Sequence, residues 1–247
     1  MKRFLIFCMF FSLMALIANA QRPPSDEIQT DEGILTVQPI HHGTLVLSWT
    51  GKNIYVDPTG GAQVFEGLGS PDVILITHAH GDHLDIGTLK ALQTDKASIV
   101  VPKSVAKQLP QAFRDQLLIL DNGDTTSKPG FPIRAIPMYN LPESPDSYHP
   151  KGWGNGYVLS LGGENVYLSG DTEDIPEMRS LENIDIAFVC MNLPYTMNVE
   201  QAADAVLAFK PRIVYPYHYR GQDTAKFEEL VNAENDQIEV RLRDWYR

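Results

Sequence analysis

Cysteine is scarce in this 247-residue chain, which has only Cys8 and Cys190. Cys8 falls in the apolar run Phe4–Ile17, which follows Lys2 and Arg3 and precedes Ala18-Asn19-Ala20. A basic start, an apolar stretch shorter than the roughly 20 residues that span a bilayer, and small residues at its end predict a cleaved secretory signal over residues 1–20. An uncleaved anchor is the alternative reading. Cys8 lies away from the cleavage point, which argues against a lipidated N-terminal cysteine. The mature chain of about 227 residues then keeps one thiol and can form no internal disulfide, so an exported protein of this kind relies on its apolar core. Cys190, inside Ile186-Ala187-Phe188-Val189-Cys190, reads as a small buried filler.

Basic charge is also in short supply. Lys and Arg number 20 against 31 Asp and Glu, a formal net charge of −11, and loss of Lys2 and Arg3 takes it to −13. There is no basic stripe to track a phosphate backbone, which excludes nucleic acid as a partner. An acidic exported chain, with no stable membrane anchor after cleavage, fits action on a small-molecule substrate.

What the chain does have is histidine in one place. Three of its seven histidines lie in His78-Ala79-His80-Gly81-Asp82-His83, directly after the largely apolar run Asp72-Val73-Ile74-Leu75-Ile76-Thr77. Imidazole and carboxylate are the ligands that borderline divalent metals prefer. A short buried strand ending in such a cluster sets several ligands at one point of a rigid sheet. The bland alternative is a solvated polar loop.

Apolar segments recur along the rest of the chain. Ile34–Ile40, Thr44–Trp49 and Asn53–Val56 predict a three-stranded meander, followed by strands at Val73–Ile76, Ser98–Val101 and Leu117–Leu120, with a helix over Leu84–Leu92. A second half predicts strands at Ile133–Met138, Tyr157–Leu161, Asn165–Leu168, Ile184–Val189, Ile213–Tyr215 and Ile238–Leu242, with helices over Val199–Phe209 and Thr224–Ala233. Residues 21–33 read as a polar, mobile N-terminal arm. Residues 34–247 read as one α/β domain of two similar halves, a four-layered αββα sandwich with helices covering both sheets.

Further candidate ligands should follow strands at the same sheet edge. Asp171 follows Val166-Tyr167-Leu168, and His218 follows Ile213-Val214-Tyr215. Tyr139 and Asn140 follow Ile133–Met138, and His149 comes later on the same connection. Taken singly, Asp171 could cap a turn and His218 could be a core histidine. Asp57, ahead of Pro58, is a candidate to hold a ligand histidine from behind, or a simple Asp-Pro turn. His42, in the turn before Thr44, is a candidate for contact with substrate or ligands.

The order His-x-His-x-Asp-His, Gly170-Asp171-Thr172 and a late strand-end His218 resembles the metallo-β-lactamase superfamily. More specifically it resembles the bacterial and archaeal metal-dependent hydrolases related to the ascorbate-phosphate lactonases. Ile54-Tyr55-Val56-Asp57-Pro58, His149-Pro150-Lys151-Gly152, Tyr195-Thr196-Met197 and Pro216-Tyr217-His218-Tyr219 belong to the same resemblance. It implies two divalent ions, zinc in the first instance with Mn2+ or Fe2+ as alternatives. His78 and His80 would hold the first, Asp82, His83 and His218 the second, and Asp171 would bridge them. The superfamily's third histidine for the first ion is missing at Tyr139-Asn140. His149 is the favoured replacement and Asn140 the other.

Such a pair implies a hydrolase in which a bridging hydroxide attacks a small ester, lactone, amide or phosphoester, with Asp82 as proton carrier. Tyr139, Tyr148, Trp153 and Tyr195 would line the substrate side, and Lys151 is either an anion contact or a solvated cation. β-Lactams are not expected to be good substrates. The non-enzymatic alternative is a periplasmic metal- or ligand-binding protein on the same fold.

Overall fold

Two seven-stranded sheets share one apolar core. The computed structural model describes residues 22–246; the expected signal lies outside them. The first sheet contains β1 (Asp26–Thr30), β2 (Gly33–His41), β3 (Thr44–Trp49), β4 (Lys52–Val56), β5 (Val73–Leu75), β6 (Ser98–Val101) and β7 (Leu117–Ile119), in that spatial order. The second contains β8 (Thr125–Thr126), β9 (Ile133–Met138), β10 (Gly154–Leu161), β11 (Glu164–Leu168), β12 (Ile186–Cys190), β13 (Ile213–Tyr217) and β14 (Glu239–Val240). In each sheet the first four strands pair antiparallel and the last four parallel.

Alternation along the strands divides the layers. In the first sheet Ile54, Val56, Val73 and Leu75 face the shared core, whereas Tyr55, Ile74, Ile76 and Ile99 belong to a separate cluster with Leu89 and Val105. Those two residues come from α1 (Ile86–Ala91) and α2 (Lys103–Ala106). On the second sheet, Met178 from α3 (Pro176–Arg179), Ala202 and Val206 from α4 (Val199–Phe209) and Phe227 from α5 (Thr224–Glu234) join the shared cluster. Asp85 caps α1, Asn198 and Gln201 close a capping box on α4, and Asp223 caps α5. The four-layered αββα architecture is the expected one.

The N-terminal arm is not as expected. Within residues 21–33, β1 forms and pairs with β2 from Asp26↔Val37 to Thr30↔Gly33. Ile28 and Thr30 are buried while Glu27 and Gln29 face out. Only Ile28 is strongly apolar, so the alternation was too sparse to read; charged residues on such an edge strand also discourage pairing with another chain.

The halves also share a repeat too degenerate to stand out in the bare sequence. Leu47-Ser48-Trp49-Thr50-Gly51-Lys52-Asn53-Ile54-Tyr55-Val56 matches Leu159-Ser160-Leu161-Gly162-Gly163-Glu164-Asn165-Val166-Tyr167-Leu168. Ser48 donates to Asn53 at 2.8 Å and Ser160 to Asn165 at 2.7 Å. The backbone N–H groups of these asparagines donate to Asp72 and Asp185, each at 2.8 Å, and their amides to the Ser70 and Asn183 carbonyls. The same sequence therefore builds the same switch from antiparallel to parallel pairing twice. Asn165→Ala and Asn53→Ala, both half-buried positions, should each lower stability by about 1–2 kcal/mol. Urea unfolding checks both, and a stabilising effect of either would contradict the equivalence.

Candidate metal centre

The carboxyl ends of the parallel strands converge at the switch points, where open α/β sheets place their sites. Asp57 follows β4, residues 78–83 follow β5, Asp171 follows β11 and His218 follows β13. Two of these positions, and His42 in the turn between β2 and β3, are conformationally unusual. His42 (φ 52°), Asp57 (φ 42°) and His218 (φ 48°) all occupy the left-handed region, a strain that the surrounding packing must hold.

Three overlapping groups of donor atoms result: His78, His80 and His149; His42, Asp82, His83 and His218; and His78, His83 and Asp171. His78 Nε2 lies 3.1 Å from His80 Nδ1, and His83 Nε2 lies 3.1 Å from His218 Nε2. Asp82 Oδ2 stands 3.7 Å from His218 Nε2 and 4.0 Å from His83 Nε2. Asp171 reaches both sides. Its Oδ2 is 3.6 Å from His149 Nε2, 4.0 Å from His78 Nε2 and 3.5 Å from His218 Nε2, and its Oδ1 is 3.4 Å from His83 Nε2. Ligand atoms around one cation at about 2.1 Å stand roughly 3.0–4.2 Å apart, so every one of these separations fits. Both ring nitrogens of His149, Nδ1 of His218 and Oδ1 of Asp171 are buried with no hydrogen-bond partner. Buried polar atoms without partners are costly and rare; of these, His149 Nε2 and Asp171 Oδ1 face the other donors of the cluster, where a cation would satisfy them.

Hydrogen bonds behind the cluster aim it. Asp57, fully buried, accepts from Thr77 N–H and Thr77 Oγ1, each at 2.7 Å, and from His83 Nδ1 at 2.7 Å. That assigns the His83 proton to Nδ1 and leaves Nε2 free toward the cluster. Thr77 Oγ1, which donates to Asp57, accepts from His78 Nδ1 at 3.0 Å and frees His78 Nε2 in the same way. Glycines supply the space. A Cβ on Gly43 would meet the His83 ring at 2.9 Å and His218 at 3.3 Å; one on Gly170 (φ 60°) would meet Thr77 at 3.2 Å.

The first group draws His149, not Asn140, to His78 and His80. The Asn140 amide is occupied elsewhere: Oδ1 accepts His149 N–H at 2.8 Å, and Nδ2 donates to the Tyr195 carbonyl at 2.8 Å and to Glu173 at 3.2 Å. Asn140 is thus the clamp that seats His149. Tyr139 is buried, and its hydroxyl donates to Glu177 on α3 at 2.8 Å instead of lining the cluster. Lys151 is not a free cation, since it pairs with Glu143 at 2.9 Å and Glu177 at 3.0 Å. Trp153 does face the site, its ring 4.8 Å from that of His80. Tyr195 and Tyr148 are exposed with rings 4.9 Å apart, Tyr148 adjoining His149 in sequence. His42 enters the second group, with Nε2 3.0 Å from Asp82 Oδ2 and its ring 3.7 Å from that of His218. Cys190 is free and fully buried, and burial pushes its thiol up to about 12.

Charge follows the geometry. Burial holds His78 well below the usual imidazole range and His149 down at about 4. Burial opposes the His83 cation too, but Asp171 and Asp57 outweigh it and raise His83. Burial works against the Asp171 carboxylate, yet His218 and His83 carry it well below its ordinary value.

A family model for the beta-lactamase superfamily domain matches residues 36–218. A UPF0173 metal-dependent hydrolase of Pyrococcus abyssi is 32% identical over 195 residues, 73% of this chain and 85% of that protein. The crystal structure of a candidate metal-dependent hydrolase from Parabacteroides distasonis superimposes with a TM-score of 0.82 at 38% identity, over 91% of this chain and all of that one. Igni18, a metallo hydrolase from Ignicoccus hospitalis, shares the fold with a TM-score of 0.67 at 24% identity, covering 84% of this chain and 94% of the other. The chain belongs to the metallo-β-lactamase superfamily.

Two outcomes follow from this geometry. Gly43→Ala should displace His83 and weaken zinc binding by at least about 10-fold in calorimetric titration; unchanged affinity would show that the ring relaxes freely. For the metal-free chain, the unfolded state takes up protons on imidazoles at about 6.5 that folded His149 and His78 refuse. Stability should therefore fall as pH drops from about 6.5 toward 4, with His83 opposing in part. Urea midpoints at pH 7, 5.5 and 4.5 measure this, and a flat profile would contradict it.

Proposed function

We propose that this chain is a metal-dependent hydrolase that acts on a small ester, lactone, amide or phosphoester with two divalent ions. His78, His80 and His149 would hold one, Asp82, His83 and His218 the other, and Asp171 would bridge them. The observation that carries this reading is the position of Asp171, with its two oxygens 3.4–4.0 Å from imidazole nitrogens of both groups. The imidazole-rich donor set favours zinc, with Mn2+ or Fe2+ as alternatives. Bound there, two such ions would lower the pKa of a water toward about 7 and would polarise a carbonyl or phosphoryl oxygen.

The chain's own residues do the rest. Asp57 and Thr77 orient His83 and His78. Trp153 shields the first group from bulk water. Asp82, whose side chain is 50% exposed, sits at the open side of the cluster, placed to carry a proton toward the leaving group. Tyr148 and Tyr195 border the approach and offer aromatic faces to a small organic substrate. The segment 1–20 supports export of the protein.

Elemental analysis of purified protein should find two equivalents of metal per chain. Turnover of p-nitrophenyl esters or phosphodiesters should vanish with chelator and return with zinc or manganese. His80→Ala should lower kcat by at least about 100-fold. Nitrocefin should be turned over poorly. Metal retained without turnover across a broad ester, amide and phosphoester panel would replace this reading with that of a metal-binding protein.

A further inference from the structure

The end of the chain returns to the site. Beyond β14, residues 241–246 cross from the second half to the first. Arg243 Nε pairs with Asp26 of β1 at 2.9 Å. Trp245 is fully buried, and its carbonyl accepts the His42 N–H at 3.1 Å. Tyr246 then stands edge-on to the His42 ring at 5.6 Å and to Tyr219 at 5.0 Å.

The hydroxyl of Tyr246 has two partners. Arg220 N–H donates to it at 3.0 Å, and His42 Nδ1 lies 2.7 Å away. A phenol oxygen that already accepts from Arg220 keeps its own hydrogen to give, and His42 Nδ1 is the acceptor in reach. A neutral imidazole that accepts at Nδ1 carries its proton on Nε2. His42 Nε2, 3.0 Å from Asp82 Oδ2, then donates to that carboxylate. The His42 ring is hemmed in by that of His218, 3.7 Å away. Asp82 is the candidate ligand in most need of support, being the most exposed of them.

We propose that Tyr246 is a positioning residue for the second ion: its hydroxyl fixes the His42 tautomer, and His42 holds Asp82 toward His83 and His218. This rests on the two-ion reading above. It makes His42 a partner of Asp82 and not a ligand, although His42 Nε2 lies near enough to the same donors to be one. Groups that orient a ligand commonly change metal affinity by about 10- to 100-fold.

The test is a calorimetric zinc titration of the metal-free protein and three variants, with thermal unfolding alongside. Wild type should show two binding events. Tyr246→Phe should weaken one of them by about 10-fold or more and leave the other unchanged, with Tm lowered by only about 2–4 °C. His42→Gln keeps an acceptor for Tyr246 and a donor for Asp82 but offers no imidazole, so it should retain wild-type affinity, whereas His42→Ala should not. Unchanged affinities in Tyr246→Phe would overturn the proposal. His42→Gln as weak as His42→Ala would overturn it as well, by making His42 a direct ligand. A single event in wild type would remove the two-ion reading itself, an outcome separable from both.

Discussion

The site depends on an electrostatic conflict. Imidazole nitrogens and carboxylate oxygens face one another at 3–4 Å among largely buried side chains, and some of these atoms have no hydrogen-bond partner. Protonating the imidazoles would relieve the conflict, but burial opposes it at His78 and His149. A cation relieves it without adding a proton. The left-handed residues at 42, 57 and 218 and the missing side chain at Gly43 let these donors approach one another this closely.

The duplicated scaffold shows how such a site is built from ordinary parts. Each half ends its antiparallel meander with the same asparagine-anchored turn and then begins parallel pairing. In the first half the acid after that switch, Asp57, sits behind the ligands and sets their tautomers. In the second half the acid after the switch, Asp171, stands among the donors themselves. The two acids are not equivalent positions of the repeat, since Asp57 directly follows Val56 whereas Ser169 and Gly170 separate Asp171 from Leu168; the halves share the switch and each adds its own carboxylate beyond it.

Much of this was legible in the sequence because its signals are local. The strand before His78, the fully periodic α4 and the glycine after Leu168 are short-range patterns, and the cluster 78–83 carries its own chemistry. What was not legible depends on partners far along the chain. β1 has one strong apolar residue, and only pairing with β2 shows it to be a strand. Tyr139 and Lys151 follow the first-group strand as pocket residues would, but Glu177 on α3 draws them away. Asn140 looked like a poor ligand, and its value as a clamp for His149 shows only when the Tyr195 carbonyl is beside it. Tyr246 carries no motif at all.

The connection bearing His149 is fastened at both ends of its excursion. Asn140 exchanges hydrogen bonds with the His149 backbone, and Lys151 is pinned between Glu143 and Glu177. Apart from Glu143, which belongs to that fastening, residues 141–148 are mostly exposed and stand outside the contacts that seat the imidazole. Changes in their number or composition can reshape what is admitted to the pocket while the donor stays in place. In a fold that serves many reactions, that makes this stretch a natural address for evolutionary tinkering, and a practical graft point for redirecting specificity.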